Sequence, residues 1–257
     1  MSRYRALFER LGERGEGAFG AFVMLGDPAA GASILDALVE GGADMLEVGI
    51  PFSDPVADGP VIQAAAVRAL AAGTRTADCF RLLGEFRARH REVPVGILTY
   101  ANLVMARGRE AFYRASAEAG VDSVLVADVP LIEAGPFLAA ARAAGVDPVL
   151  IAAPNTPPER LARIAAEGSG YTYCVARAGV TGADVKVRFA GDVIEALKSA
   201  GAPPPVLGFG ISAPEHVRLA LAAGAAGVIS GSAIVERVAR GEDVRGFVAE
   251  LKAATLR

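Results

Sequence analysis

Short apolar runs rich in β-branched residues alternate along this chain with longer stretches of Ala, Leu, Arg and Glu. The runs fall at residues 20–24, 45–48, 95–99, 123–127, 148–152, 171–175, 206–208 and 227–230. They are continuously apolar rather than alternating, the texture of parallel strands covered on both faces. Between them, residues 34–40, 61–71, 79–89, 109–119, 132–144, 158–167, 187–200, 213–223 and 233–239 predict amphipathic helices. Eight strands alternating with helices imply a parallel sheet with crossover helices. An open doubly wound sheet usually follows its first strand with a glycine-rich dinucleotide fingerprint. Here the first strand runs into Leu25-Gly26-Asp27-Pro28 instead. The expected fold class is therefore α/β: a (β/α)8 TIM barrel, one domain over residues 1–257, with residues 3–14 as an extra N-terminal helix covering the bottom of the barrel.

One phrase recurs just before strands. It reads Glu40-Gly41-Gly42-Ala43-Asp44, Glu118-Ala119-Gly120-Val121-Asp122, Ala143-Ala144-Gly145-Val146-Asp147 and Ala222-Ala223-Gly224-Ala225-Ala226. A helix ends, glycine takes the left-handed position beyond it, and a strand begins. The spacing is irregular, so this is a barrel connection reused and not a solenoid repeat.

Composition narrows the class further. The 257 residues are 53% hydrophobic and 21% charged, the profile of a globular enzyme and not of a disordered chain. The net charge of −3 comes from mixed signs with no basic stripe, which argues against nucleic-acid binding. No stretch has the roughly 18 uncharged apolar residues of a membrane span. Residues 1–16 lack the continuous apolar core of a signal peptide. Cys79 and Cys174 belong to no ligand spacing and read as buried reduced thiols.

Barrel active sites lie at the C-terminal ends of the strands. The richest such place is Leu46-Glu47-Val48-Gly49-Ile50-Pro51-Phe52-Ser53-Asp54-Pro55-Val56-Ala57-Asp58-Gly59-Pro60. Glu47 stands inside an apolar strand, where desolvation raises a carboxyl pKa toward neutrality. A salt-bridged structural Glu is the alternative, although no Lys or Arg lies nearby in sequence. Asp58 and Asp54 sit on the following loop, where either could be a turn residue or cap. One buried and one exposed carboxylate could also divide acid and base roles. A second place is Gly208-Phe209-Gly210-Ile211-Ser212 with Ser230-Gly231-Ser232-Ala233-Ile234. Loops after the seventh and eighth strands commonly seat phosphate on backbone amides and a helix N-terminus; ordinary tight turns are the alternative. A third is Tyr171-Thr172-Tyr173 with the glycine-containing loop through Gly182, where two tyrosines share a strand face and the loop could move as a lid; a core tyrosine pair with a surface loop is the alternative. His90 and His216 fall in helical stretches away from these places and read as surface residues.

The segment LEVGIPFSDPVADG, from Leu46 to Gly59, resembles the signature of the tryptophan synthase alpha chain family. The likeness extends in order through residues 22–28, 100–102, 123–130, 171–182, 208–212 and 227–234, essentially the whole chain. It implies retro-aldol cleavage of indole-3-glycerol phosphate to indole and glyceraldehyde 3-phosphate, a carbon–carbon lyase reaction. By position it implies that Glu47 is the general acid–base and that Asp58 accepts the indole N–H. Tyr173 would position Glu47 and substrate, while Phe22, Ile62, Leu98, Leu125 and Phe209 would wall the ring. Gly182, Gly210, Gly231 and Ser232 would hold the phosphate, Thr181 would close over Asp58, and Asp54 would face a beta subunit. The resemblance further implies a cytoplasmic alpha2beta2 complex, no metal and no cofactor in this chain, pyridoxal phosphate residing in the beta partner. Met24 stands where the family usually has Thr, Thr99 where Met is frequent, and residues 183–191 match poorly. Two other readings are another phosphate-binding barrel lyase or isomerase, and a catalytically silent barrel that only activates a beta-type subunit. The first would be expected to end a strand in Lys or to pair Asp with Cys. Lys186, Lys198 and Lys252 are the only lysines, and all fall in loop or helical settings.

Overall fold

The computed structural model describes residues 2–31, 33–175, 191–208 and 210–256. Its strands are β1 (Ala18–Met24), β2 (Met45–Gly49), β3 (Val95–Thr99), β4 (Ser123–Val126), β5 (Asp147–Pro148), β6 (Leu150–Ala152), β7 (Thr172–Val175), β8 (Pro205–Gly208) and β9 (Gly227–Ser230). The helices are α1 (Arg3–Glu13), α2 (Ile34–Glu40), α3 (Pro60–Ala71), α4 (Thr76–Arg89), α5 (Ala101–Arg107), α6 (Arg109–Glu118), α7 (Gly135–Ala143), α8 (Pro158–Glu167), α9 (Gly191–Ser199), α10 (Pro214–Ala222), α11 (Ser232–Ala239) and α12 (Val244–Ala253). All strand pairs are parallel, in the order β5-β4-β3-β2-β1-β9-β8-β7-β6. The two ends of that sheet are halves of one chain segment, so the wall closes on itself through Val149. Pro148 has no N–H to give, and the expected fifth strand accordingly appears as two short pieces, β5 paired to β4 and β6 paired to β7.

Alternate strand residues go to two different cores. Phe19, Ala21, Val23, Leu46, Val48, Val124, Cys174, Leu207 and Val228 pack outward under the helices. Phe22, Met24, Met45, Leu125, Val149, Tyr171, Tyr173, Val206 and Ile229 pack in the interior cluster. Both sets are apolar, which is why the strands read as continuous runs. Helix α1 plugs the bottom with Tyr4, Leu7 and Leu11, and the Tyr4 hydroxyl lies 2.9 Å from Ser123 Oγ. Helices α5 and α12 were not among the predicted elements. Asp243 caps α12 by accepting from the amides of Arg245 and Gly246. Gly42, Gly120, Gly145 and Gly224 all have positive φ, as the recurring phrase predicts. The residue after each donates its N–H back into the preceding helix at 3.0 or 3.1 Å, the Schellman pattern. Among the described residues no helix is long and apolar enough to cross a membrane.

A buried ion cluster ties the bottom together. Asp122 accepts from Arg87 at 2.7 Å, from Arg3 at 2.7 Å and from the Val95 amide at 2.8 Å. The Arg87 and Asp122 side chains are only 13% and 7% exposed. Removing the carboxylate strands a buried guanidinium, so Asp122→Ala is expected to cost about 3–5 kcal/mol in denaturant unfolding. A loss below about 1 kcal/mol, the worth of an exposed pair, would show the cluster to be dispensable.

Candidate active site

Glu47 occupies the third position of β2 and points into the barrel, in register with Phe22 of β1 and Gly96 of β3. Its side chain is fully enclosed, and the Tyr171 hydroxyl donates to its Oε1 at 2.7 Å. The expected choice was between a functional acid and a salt-bridged one. The partner is a phenol, and no cation contributes to the group's environment among the described residues. Burial pushes the Glu47 carboxyl up to about 7; the nearby Asp58 charge adds to the rise and the Tyr171 bond opposes it. Tyr171 is itself seated on the Tyr4 ring, centroid to centroid 5.3 Å.

Asp58 lies on the loop from β2 to α3, half-buried. Burial raises its carboxyl to about 6 against the opposing hydrogen bond from the Tyr100 hydroxyl. That hydroxyl also accepts from the Ala57 amide at 3.3 Å, and its ring stacks on Phe52 at 5.2 Å. The end of β3 thus holds the loop that carries Asp58. Asp54 is exposed farther out on the same loop, with the Ser53 hydroxyl donating to it at 2.5 Å.

A cleft of about 640 Å³, open solvent at its mouth included, joins these acids to the far rim. Glu47, Asp58, Phe22, Ile62, Leu98, Tyr173, Gly210, Gly231 and Ser232 all line it. Nine of the expected site residues therefore share one cavity. Leu125 is buried in the interior cluster beneath it but is not part of the lining. Thr181, Gly182 and Phe209 lie outside the described residues, as does most of the segment expected to form a lid. Tyr173 reaches across to β8: a Cβ on Gly208 would come within 2.1 Å of its hydroxyl, so glycine is needed there. Gly210 has φ 80°, and Gly231 precedes the first turn of α11, whose amide end faces the cleft.

Sequence reasoning missed several partners. Tyr171 and Tyr173 were placed on one face, but not the bond from Tyr171 to Glu47. Tyr100 lies in a matching segment, but no local pattern ties its hydroxyl to Asp58. Ile211 and Ser212 line the cleft, and His216, read as a surface residue remote from the site, folds back onto Ser212. His90 is half-buried and bonded to Asp36 at 2.6 Å. Both cysteines are buried and free, and burial pushes each thiol up to about 12. Among the described residues no cluster of His, Cys, Asp and Glu is placed to hold a metal ion.

Comparison with known proteins adds an independent line. The family described as "Tryptophan synthase alpha chain" matches residues 8–255. A tryptophan synthase alpha chain of Shewanella amazonensis is 54% identical, over 99% of this chain and all of its own length. The crystal structure of tryptophan synthase subunit alpha from Legionella pneumophila superposes with a TM-score of 0.88 at 30% identity, covering 99% of this chain and 98% of that one. A tryptophan synthase structure from M. tuberculosis in an aminoacrylate-bound form gives 0.88 at 29% identity, covering 99% and 100%.

The raised Glu47 pKa has a consequence for stability. The folded protein holds this proton more tightly than the unfolded chain does, so this group's contribution to stability is fully present below pH 4.5 and is lost as pH rises through about 7. The loss above that range is about 3 kcal/mol. Glu47→Gln keeps an acceptor for Tyr171 and carries no charge. Its melting temperature should match wild type at pH 4.5 and exceed it at pH 8; equal values at both would mean that the carboxylate is not desolvated.

Proposed function

The chain belongs to the tryptophan synthase alpha chain family, and from that premise we propose that it is the carbon–carbon lyase that splits indole-3-glycerol phosphate into indole and glyceraldehyde 3-phosphate. The observation that carries this reading is one cleft with two raised carboxyls at one end and glycine turns with a helix N-terminus at the other. Those ends stand on β2 and on β8 and β9, up to three strand spacings apart, about 14 Å around the wall. That suits a flat ring, a three-carbon chain and a phosphate laid end to end.

The chemistry follows from the positions. Glu47, protonated, delivers its proton to indole C3, and the ring becomes an iminium cation. The Asp58 carboxylate accepts the indole N–H and stabilises that cation. The Glu47 carboxylate then takes the proton of the glycerol hydroxyl beside the ring. The oxygen's electron pair forms the aldehyde, the C–C bond breaks, and its pair neutralises the ring nitrogen. One residue both gives and takes the proton, which a carboxyl near 7 suits better than an ordinary one. Phe22, Ile62 and Leu98 sandwich the ring, and Tyr173 steadies substrate against Glu47. Gly210, Gly231 and Ser232 hold the phosphate, and we extend that role to Gly182, the ring wall to Leu125 and Phe209, and closure over Asp58 to Thr181. The chain needs no cofactor of its own in this scheme. We read residues 1–257 as one cytoplasmic barrel unit.

An alpha chain works with a beta subunit, and we place that partner over the mouth in an alpha2beta2 complex. Three exposed apolar side chains support this face: Val56, Met105 and Ile132, at 72%, 49% and 77% exposure on the segments following β2, β3 and β4. Asp54 stands beside Val56 on the same rim. A silent barrel is disfavoured, because nothing about activating a partner calls for one enclosed and one half-buried acid sharing a cleft.

Purified chain given indole-3-glycerol phosphate should release indole slowly alone and much faster with a beta subunit. Glu47→Gln and Asp58→Asn should each lose about two to four orders of magnitude in kcat. Glu47→Gln should still bind glycerol 3-phosphate within a few fold of wild type. Absence of indole with and without the partner would overturn the reading, and near-normal turnover by either variant would remove that residue from the scheme.

A further inference from the structure

We propose that Ser230 and His216 are positioning residues for the anion seat, clamping from both sides the single peptide that joins Ile211 to Ser212. The Ser230 hydroxyl, fully buried at the end of β9, donates to the Ile211 carbonyl at 2.6 Å. The Ser212 N–H donates to His216 Nδ1 at 3.2 Å, with Ser212 Oγ 3.3 Å from the same nitrogen. That carbonyl and that N–H belong to the same amide plane. Holding both of its ends fixes ψ of Ile211 and φ of Ser212. Gly210, at φ 80°, is conformationally permissive, and the clamp anchors the loop just beyond it.

Two consequences follow for the seat. Ser230 immediately precedes Gly231 and Ser232, so its bond joins the loop after β8 to the loop after β9. The two halves of the rim then move as one body. His216 is the third residue of α10, so the same loop is also pinned to a helix. For Nδ1 to accept, the imidazole must be neutral with its proton on Nε2. The Ser212 amide is spent on this contact, and the cleft-lining residues before it, Gly210 and Ile211, are left to meet the ligand. Preorganised donors lose little freedom when an anion arrives, and that is where the affinity comes from.

The inference rests on reading this rim as a phosphate seat, and the test separates the two. Binding of glycerol 3-phosphate and of indole is measured on the full chain for wild type, His216→Ala, His216→Asn, Ser230→Ala and the double alanine variant. Asn places its Oδ1 where Nδ1 stood and keeps an acceptor. His216→Ala and Ser230→Ala should each weaken glycerol 3-phosphate about five- to tenfold, the worth of one modest hydrogen bond. Indole binding should stay within twofold, and His216→Asn should recover to within about twofold of wild type. The double variant should lose less than the product of the two single losses, because both contacts hold one peptide. In turnover, KM should rise while kcat stays within about twofold. Wild type that binds no glycerol 3-phosphate would overturn the seat and the clamp together. Wild type that binds it, with both single variants unchanged, would overturn the clamp alone. So would an Asn variant as weak as Ala, or equal losses for indole and glycerol 3-phosphate.

Discussion

A carboxylic acid inside a barrel of apolar side chains, met by the phenol of Tyr171, is the constraint around which this molecule is arranged. Ionising Glu47 there costs free energy that one neutral donor recovers in part. The proton is therefore held to about pH 7. The phenol must be held too. Tyr171 rests on Tyr4, and Tyr4 reaches Ser123 at the floor of the barrel. The N-terminal helix is in this sense part of the active site's foundation, although it lies at the opposite end from the mouth.

The other parts of the site complement that acid in different ways. Asp58 is only half-buried and bonded to Tyr100, and its carboxyl is raised to about 6, against about 7 for Glu47. Two carboxyls separated by environment rather than by type can serve as proton carrier and charge stabiliser. At the far rim the described lining residues Gly210, Gly231 and Ser232 offer backbone amides and a helix N-terminus, the setting proposed above for the phosphate. The side chains of Ser230 and His216 act there on the backbone itself.

The sequence carried most of this where a local rule applied. Continuous apolar runs marked the strands because both barrel faces are covered, and the glycine phrases marked the helix ends because only positive φ closes those turns. Glu47 stood out because a charge inside such a run has few explanations. Other features depend on contacts that no local pattern records. The bond from Tyr171 to Glu47 spans 124 positions in sequence, and Tyr173, two residues on, looks equivalent until the barrel closes. The fifth strand divides at Val149, where pairing passes from β4 to β7. Helix α5 spans seven residues, barely two turns, too few to display a clear helical period. Helix α12 contains Gly246, which weakens its pattern, and its cap at Asp243 was the signal available. His216 reaches only four residues back to Ser212, yet helical position alone makes it look solvent-facing.

The central claim is that Glu47 is a desolvated acid whose proton is held near neutrality by burial and moderated by Tyr171. A carbon-13 NMR titration of protein labelled at glutamate side-chain carboxyls, comparing wild type with Glu47→Gln, reads it directly. The account predicts one resonance that titrates with a midpoint near 7, is missing from the variant, and moves to higher pH in Tyr171→Phe. A Glu47 midpoint near the ordinary 4.5, unmoved by loss of the phenol, would contradict it.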